Sequence, residues 1–384
     1  MYIDSLNQMV NKLKEQRAIR SVEIENAFRK VQRHRLLETF YLPGDLQQIA
    51  HNPHNPNPEH LDLIYSGNSL VTRISDGKPS SSTSEPMLIA YMLESLMLTP
   101  GLKVLEIGAG TGYNAALIAE LVGDQTLVVS VDVQEDVIAQ TQRLLADAGY
   151  PNINLVLRDG FYGVQEEAPY KRIVATVGCK DISPYWVDQL SPSGFMLLPL
   201  THGGWTPLVK VWLREGTLQG KIVGFSGFML LQYQESVDDP WHISAMASLA
   251  LEEAEELPVF EGIEVEHTRS PLMWSAFPVS FYYFMATKDC RAFWSLTPPG
   301  YGLYDPQRGT ILIYPQKNCI LLKGDRELYK QLQAIYEDWT QLGKPSPFDY
   351  AIEFVPRTQV TSSPQLGRVI ERKFYHQVLS LCEH

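Results

Sequence analysis

Several features that would mark other protein classes are scarce in this chain. Its 384 residues include only four cysteines, which are widely spaced and form no CxxC or Cys/His cluster, so no metal site and no disulfide framework are expected. Lys and Arg number 32 against 44 Asp and Glu, and the formal charge of −12 disfavours general nucleic-acid binding. The sequence contains no apolar run of about 18 residues, so no membrane-spanning helix is predicted. The expectation is a cytoplasmic protein without nucleic-acid or membrane partners.

The length and composition suit a protein of two domains. A hydrophobic content of 45% and a charged content of 20% are typical of chains that form a packed core. We expect residues 1–100 to supply N-terminal helices and a substrate loop, and residues 101–237 to form a Rossmann-like cofactor-binding core. Residues 238–384 are expected to form a smaller α+β domain that recognises the substrate. The oligomeric state is not predicted.

The most informative stretch is KVLEIGAGTG, at residues 103–112. Val104–Ile107 is predicted as a buried strand, the glycines as a tight turn, and Asn114–Val122 as a helix from the spacing of its apolar residues. The next apolar run, Val128–Asp132, ends in an acidic residue that lies 20 residues after Gly112. This order predicts a βαβ unit with a nucleotide-binding turn at the carboxyl end of its first strand.

Two classes of cofactor use such a turn. Dinucleotide sites usually show G-x-G-x-x-G, whereas the spacing here is G-x-G-x-G and Glu106 lies two residues before Gly108. A carboxylate there suits S-adenosyl-L-methionine, which carries an ammonium and a sulfonium, better than a pyrophosphate. Asp132 can accept hydrogen bonds from both ribose hydroxyls. S-adenosyl-L-methionine is the predicted cofactor and S-adenosyl-L-homocysteine its product; the alternative is a Gly-rich turn without a ligand.

Strand-like and helix-like segments alternate from residue 103 to about residue 234. This alternation predicts an α/β fold with a mainly parallel sheet, of the Rossmann-like class I methyltransferase type. Upstream, Tyr65–Ser84 is predicted as a small strand pair followed by a polar loop, and Glu85–Leu96 as a helix. Downstream, helices are predicted over His242–Glu256 and over Asp325–Leu342, with Asp325 as the N-cap of the second.

Five segments of the first 235 residues resemble the protein-L-isoaspartate O-methyltransferase family. The segments are Asn26–Leu37 with its Val-x-Arg-His signature, Ser80–Leu93, Val104–Gly112, Asp159-Gly160 and Glu166–Leu200.

The chain also departs from the family's pattern. Thr83 stands where the family commonly has Ile, and Glu85 precedes Pro86 where Gln or Ala is usual. The segment after Ala175 lacks the family's Ala-Ala-x-x-x-Pro pattern. Residues 235–384 have no counterpart in the compact repair enzymes. The whole chain is more similar to extended relatives, some of which belong to peptide natural-product pathways.

The resemblance implies a role for each matching residue. Ser84 would lie beside the transferring methyl group, with Thr83 as a second candidate. The cofactor would be held by the loop and by the acidic positions that follow later strands: Glu106, Gly108, Ala109, Gly110, Gly112, Asp132, Val133, Asp159 and Gly160. Simpler structural roles are a helix N-cap for Ser84, a loop cap for Asp132 and a common turn for Asp159-Gly160.

The implied reaction is carboxyl O-methylation of an isoaspartyl or aspartyl side chain in a peptide or protein. The additional C-terminal region favours one dedicated ribosomal peptide over general repair of damaged proteins. An amino-group methyltransferase acting on nucleic acid would usually carry Asn/Asp-Pro-Pro-aromatic after the fourth strand, where this chain reads ATVGCKDIS. A small-molecule methyltransferase is a further alternative. A non-catalytic protein that keeps the fold is disfavoured by the intact acidic and glycine positions.

Overall fold

The computed structural model of the chain describes residues 2–42, 47–202, 206–231, 251–261, 263, 279–359 and 368–382. The chain divides into two compact units. The first comprises the described residues within 1–178, 183–198 and 228–235, and the second those within 179–182, 199–227 and 236–384. None of the helices in the described ranges combines the length and the apolar character needed to cross a bilayer.

The first unit contains seven helices and nine strands among its described residues. The helices are α1 (Tyr2–Glu15), α2 (Val22–Lys30), α3 (Pro58–Ile64), α4 (Pro86–Leu96), α5 (Tyr113–Val122), α6 (Glu135–Asp147) and α7 (Pro184–Gln189). The strands are β1 (Thr39–Tyr41), β2 (Gln48–Ala50), β3 (Leu70–Ser75), β4 (Lys78–Thr83), β5 (Val104–Ile107), β6 (Val128–Asp132), β7 (Asn154–Leu157), β8 (Tyr170–Ala175) and β9 (Leu190–Pro199).

The parallel sheet of the first unit has the strand order β9-β8-β5-β6-β7. All four pairs of neighbouring strands are parallel. Val104 of β5 lies opposite Val128 of β6 on one side and Arg172 of β8 on the other. Every residue of β5 is buried, which agrees with the continuous apolar run of Val104–Ile107. The predicted α/β fold class is confirmed, and the carboxyl ends of β5, β6 and β7 meet at one edge of the sheet.

A separate four-stranded antiparallel sheet has the order β2-β1-β3-β4. Its β3–β4 hairpin turns at Asp76-Gly77, and both residues have positive φ angles, of 50° and 72°. Asp-Gly favours such two-residue turns. The polar segment after the turn was predicted as a loop, and this prediction is wrong. Residues 78–83 form β4 because their backbone pairs with β3, from Ser75 opposite Lys78 to Leu70 opposite Thr83.

The second unit contains two sets of antiparallel strands and two helices among its described residues. One set of strands has the order β18-β19-β17-β11-β10, and the other has the order β12-β16-β15-β14-β13. Their bounds are β10 (Thr206–Arg214), β11 (Thr217–Ser226), β12 (Glu255–Pro258), β13 (Ala292–Leu296), β14 (Pro299–Asp305), β15 (Gly309–Tyr314), β16 (Cys319–Gly324), β17 (Tyr350–Pro356), β18 (Arg368–Ile370) and β19 (Tyr375–Leu381). The helices are α8 (Val279–Lys288) and α9 (Glu327–Gln341).

Two predictions for the later part of the chain differ from the structure. Residues 255–258 form strand β12 instead of the end of a helix, because their backbone pairs with β16; positions 242–250 of that predicted helix lie outside the described residues. The second predicted helix begins at Glu327, and its N-cap residue is Arg326 instead of Asp325. The Asp325 side chain still accepts a hydrogen bond from the Glu327 N–H, at 2.8 Å.

The unit to which β10 and β11 belong differs from the prediction, which placed the domain boundary near residue 237. The residues of both strands were expected within the cofactor-binding core, yet they cluster with the second unit. The reason is that β11 pairs with β17, for example Leu218 with Phe354, and continues the antiparallel sheet of the later residues. Pairing between strands that lie far apart in the sequence places β10 and β11 in the second unit. The residue pattern within each strand does not indicate which distant strand it pairs with.

Candidate active site

The turn between β5 and α5 is the predicted glycine loop. Gly108, Gly110 and Gly112 have φ angles of 101°, 50° and 77°, which favour glycine. A Cβ atom on Gly108 would lie 2.8 Å from Oγ1 of Thr176, and one on Gly112 would lie 2.8 Å from Cγ2 of Thr141. Backbone conformation and close packing therefore both require glycine at the first and third positions.

Backbone hydrogen bonds hold this loop against the end of β6. The N–H groups of Gly108 and Ala109 both donate to the carbonyl of Val131, at 2.8 and 3.1 Å. The N–H of Gly110 donates to the Oδ2 atom of Asp132 at 3.1 Å. The loop and the acidic end of β6, which lie 20 residues apart in sequence, thus form one surface at the carboxyl edge of the sheet.

Glu106 is a fully buried carboxylate with two neutral hydrogen-bond partners. The Ser130 hydroxyl donates to its Oε2 atom at 2.5 Å, and the Asn114 amide donates to its Oε1 atom at 2.7 Å. No Lys, Arg or His of the described chain forms an ion pair with it. Burial raises the pKa of Glu106 to about 7, although both hydrogen bonds favour the charged form. A buried carboxylate without a cationic partner fits a cationic ligand such as the ammonium of S-adenosylmethionine.

Asp132 lies at the end of β6 and is partly exposed. Besides the bond from Gly110, its Oδ1 atom accepts from the Gln134 N–H at 3.1 Å. Each carboxylate oxygen has a second lone pair, so both oxygens keep capacity for ribose hydroxyls. The next residue, Val133, is 43% exposed. An accessible carboxylate beside an accessible apolar side chain is suited to a nucleoside, with its polar sugar and flat base.

Asp159 and Gly160 follow β7 at the same edge of the sheet. The Asp159 Oδ1 atom accepts from the Phe161 N–H at 2.9 Å, so the carboxylate caps the short 3₁₀ turn over Gly160–Tyr162. A Cβ atom on Gly160 would lie only 2.6 Å from the Ile107 side chain at the end of β5. The carboxylate of Asp159 and the missing side chain of Gly160 therefore both have a structural role here.

The Thr83–Ser84 segment joins β4 to α4. Thr83 is only 2% exposed, and the Nε of Arg33 lies 3.5 Å from its Oγ1 atom, so its position favours a structural role. Ser84 is partly exposed. The N-cap of α4 is Glu85, and the helix has no side-chain capping bond. Since the Ser84 hydroxyl makes no hydrogen bond within the described part of the chain, a helix cap does not account for it.

Two contacts place β4 against the glycine loop. An ideal Cβ on Gly110 would lie 3.4 Å from the carbonyl oxygen of Ser82. The side-chain amide of Gln134 donates to the Ser80 carbonyl at 3.1 Å, and the backbone N–H of the same residue donates to Asp132. The strand that directly precedes Ser84 is thus connected to the loop and to the acidic end of β6.

Four residues of this arrangement were not singled out from the sequence: Arg33, Asn114, Ser130 and Gln134. A signal existed for two of them. Ser130 is the one polar residue within the apolar run VVSV, and Arg33 lies in the Val-x-Arg-His signature. A polar side chain at the centre of a buried strand needs a hydrogen-bond partner, and Glu106 on the neighbouring strand is that partner.

One protein family matches the greater part of this chain. The family model described as "Protein-L-isoaspartate(D-aspartate) O-methyltransferase" matches residues 4–232. The chain belongs to this family. Its recognition from five sequence segments is confirmed, and so is the prediction of a methyltransferase that uses S-adenosyl-L-methionine.

Individual members of the family match over different lengths. The protein-L-isoaspartate O-methyltransferase of Pyrococcus horikoshii is 34% identical over 225 residues, which cover 58% of this chain and 90% of the relative. That of Methanococcoides burtonii is 33% identical and covered to 86%. That of Thermotoga maritima is 39% identical over 140 residues, and this chain spans only 44% of its length.

A solved protein-L-isoaspartate O-methyltransferase shares the fold over a longer stretch. It is 20% identical, with a TM-score of 0.53, and the match covers 91% of this chain and 96% of that one. At this identity the similarity concerns the fold alone. The match nevertheless extends beyond residue 232, where the family model ends, so part of the C-terminal region has a counterpart in a solved member of the family.

Proposed function

We propose that this protein transfers a methyl group to the free carboxylate of isoaspartyl residues in peptides and proteins. The observation that carries the proposal is the Ser84 hydroxyl, which lies at the end of a strand packed on the glycine loop and makes no hydrogen bond within the described residues. A hydroxyl in this place can orient an acceptor. A carboxylate is already ionised at neutral pH, so it needs no general base.

The division of labour among the residues follows from their positions. Bound S-adenosylmethionine supplies an electrophilic methyl group on a positively charged sulfur. Glu106 would hold the ammonium end of the cofactor, and Asp132 the ribose hydroxyls. Asp159, Gly160 and Val133 would border the adenine. Ser84 would hold the acceptor oxygen in line with the methyl group. Such orientation lowers the activation barrier by roughly several kcal/mol.

The product explains how the reaction would serve repair. Methylation turns the free α-carboxylate of the isoaspartyl residue into a methyl ester, whose methoxy group leaves more readily. The following backbone N–H can then attack the ester carbonyl, close a succinimide and release methanol. General repair is favoured over one dedicated ribosomal peptide, because a solved member of the family matches 91% of this chain and a C-terminal region is therefore not peculiar to it. We further propose that residues 238–384 select the substrate.

The methylated product is expected to be a base-labile ester. We would incubate labelled S-adenosylmethionine with an isoaspartyl peptide and with its aspartyl isomer, and then raise the pH. Volatile labelled methanol should be released from the isoaspartyl peptide. Label that remains on nitrogen or on added nucleic acid would contradict the proposal. Similar kcat/KM values for several unrelated isoaspartyl peptides would support general repair, whereas activity on a single sequence would favour a dedicated peptide.

Replacement of Asp132 by Ala is expected to weaken binding of S-adenosylhomocysteine by about 1.5–3 kcal/mol, roughly 10- to 150-fold in Kd. The reason is that the variant loses a charged acceptor for the ribose. It also frees the N–H groups of Gly110 and Gln134. Calorimetry measures the change, and Asp136→Ala in α6 is the matched control, since that exposed carboxylate pairs with Arg73. An unchanged affinity in the Asp132 variant would remove this residue from the site.

A further inference from the structure

Arg33 is a fully buried arginine with an unusual set of partners. It lies in a short 3₁₀ turn after α2, and its side chain points to the start of α4. Its Nη2 atom donates to the Ser84 carbonyl at 3.0 Å and approaches the Thr83 carbonyl at 3.4 Å. The other bonds reach the carbonyls of Ile64 (2.7 Å) and Asn68 (3.0 Å). The guanidinium thus connects its own turn to residues 64–68 and to the Thr83–Ser84 segment.

All of these hydrogen-bond partners are neutral oxygens. Among the described residues, no carboxylate lies within ion-pair distance of Arg33. The groups around it are the Tyr113 ring, with its centroid 5.9 Å from the guanidinium carbon, the Tyr65 phenol and the half-buried Glu85. Burial lowers the pKa of Arg33 to about 10, so the group stays charged at neutral pH. A buried cation without a bound anion is costly, and it exerts a strong local field.

We propose that Arg33 is a positioning residue for methyl transfer: its fork of donors fixes the Ser84 backbone, and its charge makes the acceptor site prefer an anionic side chain. This inference rests on the proposed function. It extends that function by naming a residue that acts through Ser84 and by giving a physical reason for the choice of a carboxylate over a neutral acceptor. The Arg33 guanidinium bonds main-chain carbonyls, so it would act through the Ser84 backbone and not on the reacting atoms.

The chain offers a matched control at the other end of the same helix. Arg172, at the amino end of β8, donates from Nε to the Leu96 carbonyl at 2.7 Å, and its Nη2 atom lies 3.5 Å from the Met97 carbonyl. Its guanidinium carbon lies 3.9 Å from the centroid of the Phe195 ring. Both arginines therefore bind main-chain carbonyls that flank α4, but only Arg33 does so beside Ser84. Changes at Arg172 report the structural cost of losing such an arginine.

The experiment compares the wild-type chain with Arg33→Lys, Arg33→Met, Arg172→Lys and Arg172→Met. One measurement is the Kd of S-adenosylhomocysteine, and another is the steady-state methylation of an isoaspartyl peptide. The third measurement is calorimetry in the presence of S-adenosylhomocysteine. It compares the affinity of each variant for the isoaspartyl peptide with its affinity for the isoasparaginyl analogue of that peptide. The analogue has a neutral amide of nearly the same shape, so the ratio of the two affinities reports the preference for an anion.

For Arg33→Met we expect kcat/KM to fall about 100-fold while the Kd of S-adenosylhomocysteine changes less than about threefold, as for a change that misplaces the acceptor. The preference for the carboxylate peptide should fall about fivefold or more, because the buried charge is gone. Arg33→Lys keeps the charge but not the fork, so it should keep the preference and lose about tenfold in kcat. Both Arg172 variants should lower the midpoint of thermal unfolding and leave kcat/KM per folded molecule within about threefold.

Two outcomes would overturn the inference while the proposed function stands. One is an Arg33→Met variant whose kcat/KM matches that of Arg172→Met. The other is an equal loss of affinity for the carboxylate and amide peptides. If Arg33→Met does not fold, Arg33→Lys decides, since a wild-type kcat in that variant rejects a positioning role. A wild-type chain that methylates no isoaspartyl peptide would instead overturn the proposed function, and this inference with it.

Discussion

Binding of S-adenosylhomocysteine is expected to weaken about tenfold for each pH unit below 7, to about 100-fold at pH 5 relative to pH 8. The cause is Glu106, whose pKa burial raises to about 7. The ammonium of the ligand stabilises the ionised carboxylate, so binding at pH 6 must release about one proton from a group that is mostly protonated in the free protein. Calorimetry in buffers with different enthalpies of ionisation measures both the affinity and the released proton.

Glu106→Gln is the control for this pH dependence. The amide removes the titrating group but keeps the size of the side chain, and the Ser130 hydroxyl can turn to accept a hydrogen bond from it. The variant should bind weakly at pH 8 and show almost no change down to pH 5. Proton release that persists in this variant, or an affinity that stays constant with pH in the wild type, would show that Glu106 does not face the ligand's ammonium.

The same carboxyl group makes a prediction about stability without ligand. Its folded pKa lies above the ordinary value of 4.5, so its contribution to stability is present below pH 4.5 and is lost as the pH rises towards about 7. The difference in unfolding free energy between the wild type and Glu106→Gln should therefore shift against the wild type between pH 5 and pH 8. Chemical denaturation of both proteins at the two pH values measures this shift, and bound S-adenosylhomocysteine should reduce it.

Ser84→Ala is expected to reduce methyl transfer about 100-fold while the Kd of S-adenosylhomocysteine changes less than about threefold. Ser84 directly follows β4, and its hydroxyl makes no hydrogen bond with any residue that the structure describes, so its removal should cost little stability. Steady-state kinetics with an isoaspartyl peptide, calorimetry and thermal unfolding separate these effects. A loss of thermal stability with full turnover would instead give Ser84 a purely structural role.

Ser82→Ala is the matched control for Ser84→Ala. Ser82 lies on β4, two residues before Ser84. It is also partly exposed, and its carbonyl lies against Gly110. Because its contact with the loop is made by the backbone, the substitution should leave turnover within about threefold. If Ser82→Ala loses as much activity as Ser84→Ala, the effect belongs to the strand as a whole, and no single hydroxyl can be assigned to the acceptor.

The local elements of the cofactor-binding part could be predicted because their signals are local. A continuous apolar run, a glycine turn and a helical period specify β5, the loop and α5 within about a dozen neighbouring residues. Positive φ angles at three glycines of the loop follow from the same few residues. Lys78–Thr83 shows the limit of local signals. This polar segment, which lacks an alternating apolar pattern, became β4 because its backbone pairs with β3.

The sequence by itself determined the fold class, the family and the cofactor, since each is encoded in short motifs whose residue types the chemistry requires. Only the tertiary structure decided which groups surround them. It buried Glu106 between Ser130 and Asn114, which moves its pKa into the neutral range, and it brought Arg33 to the carbonyl of Ser84, 51 residues later in the chain. It also joined β11 to β17. Burial and long-range pairing depend on how distant segments pack, and no local pattern of residues carries that information.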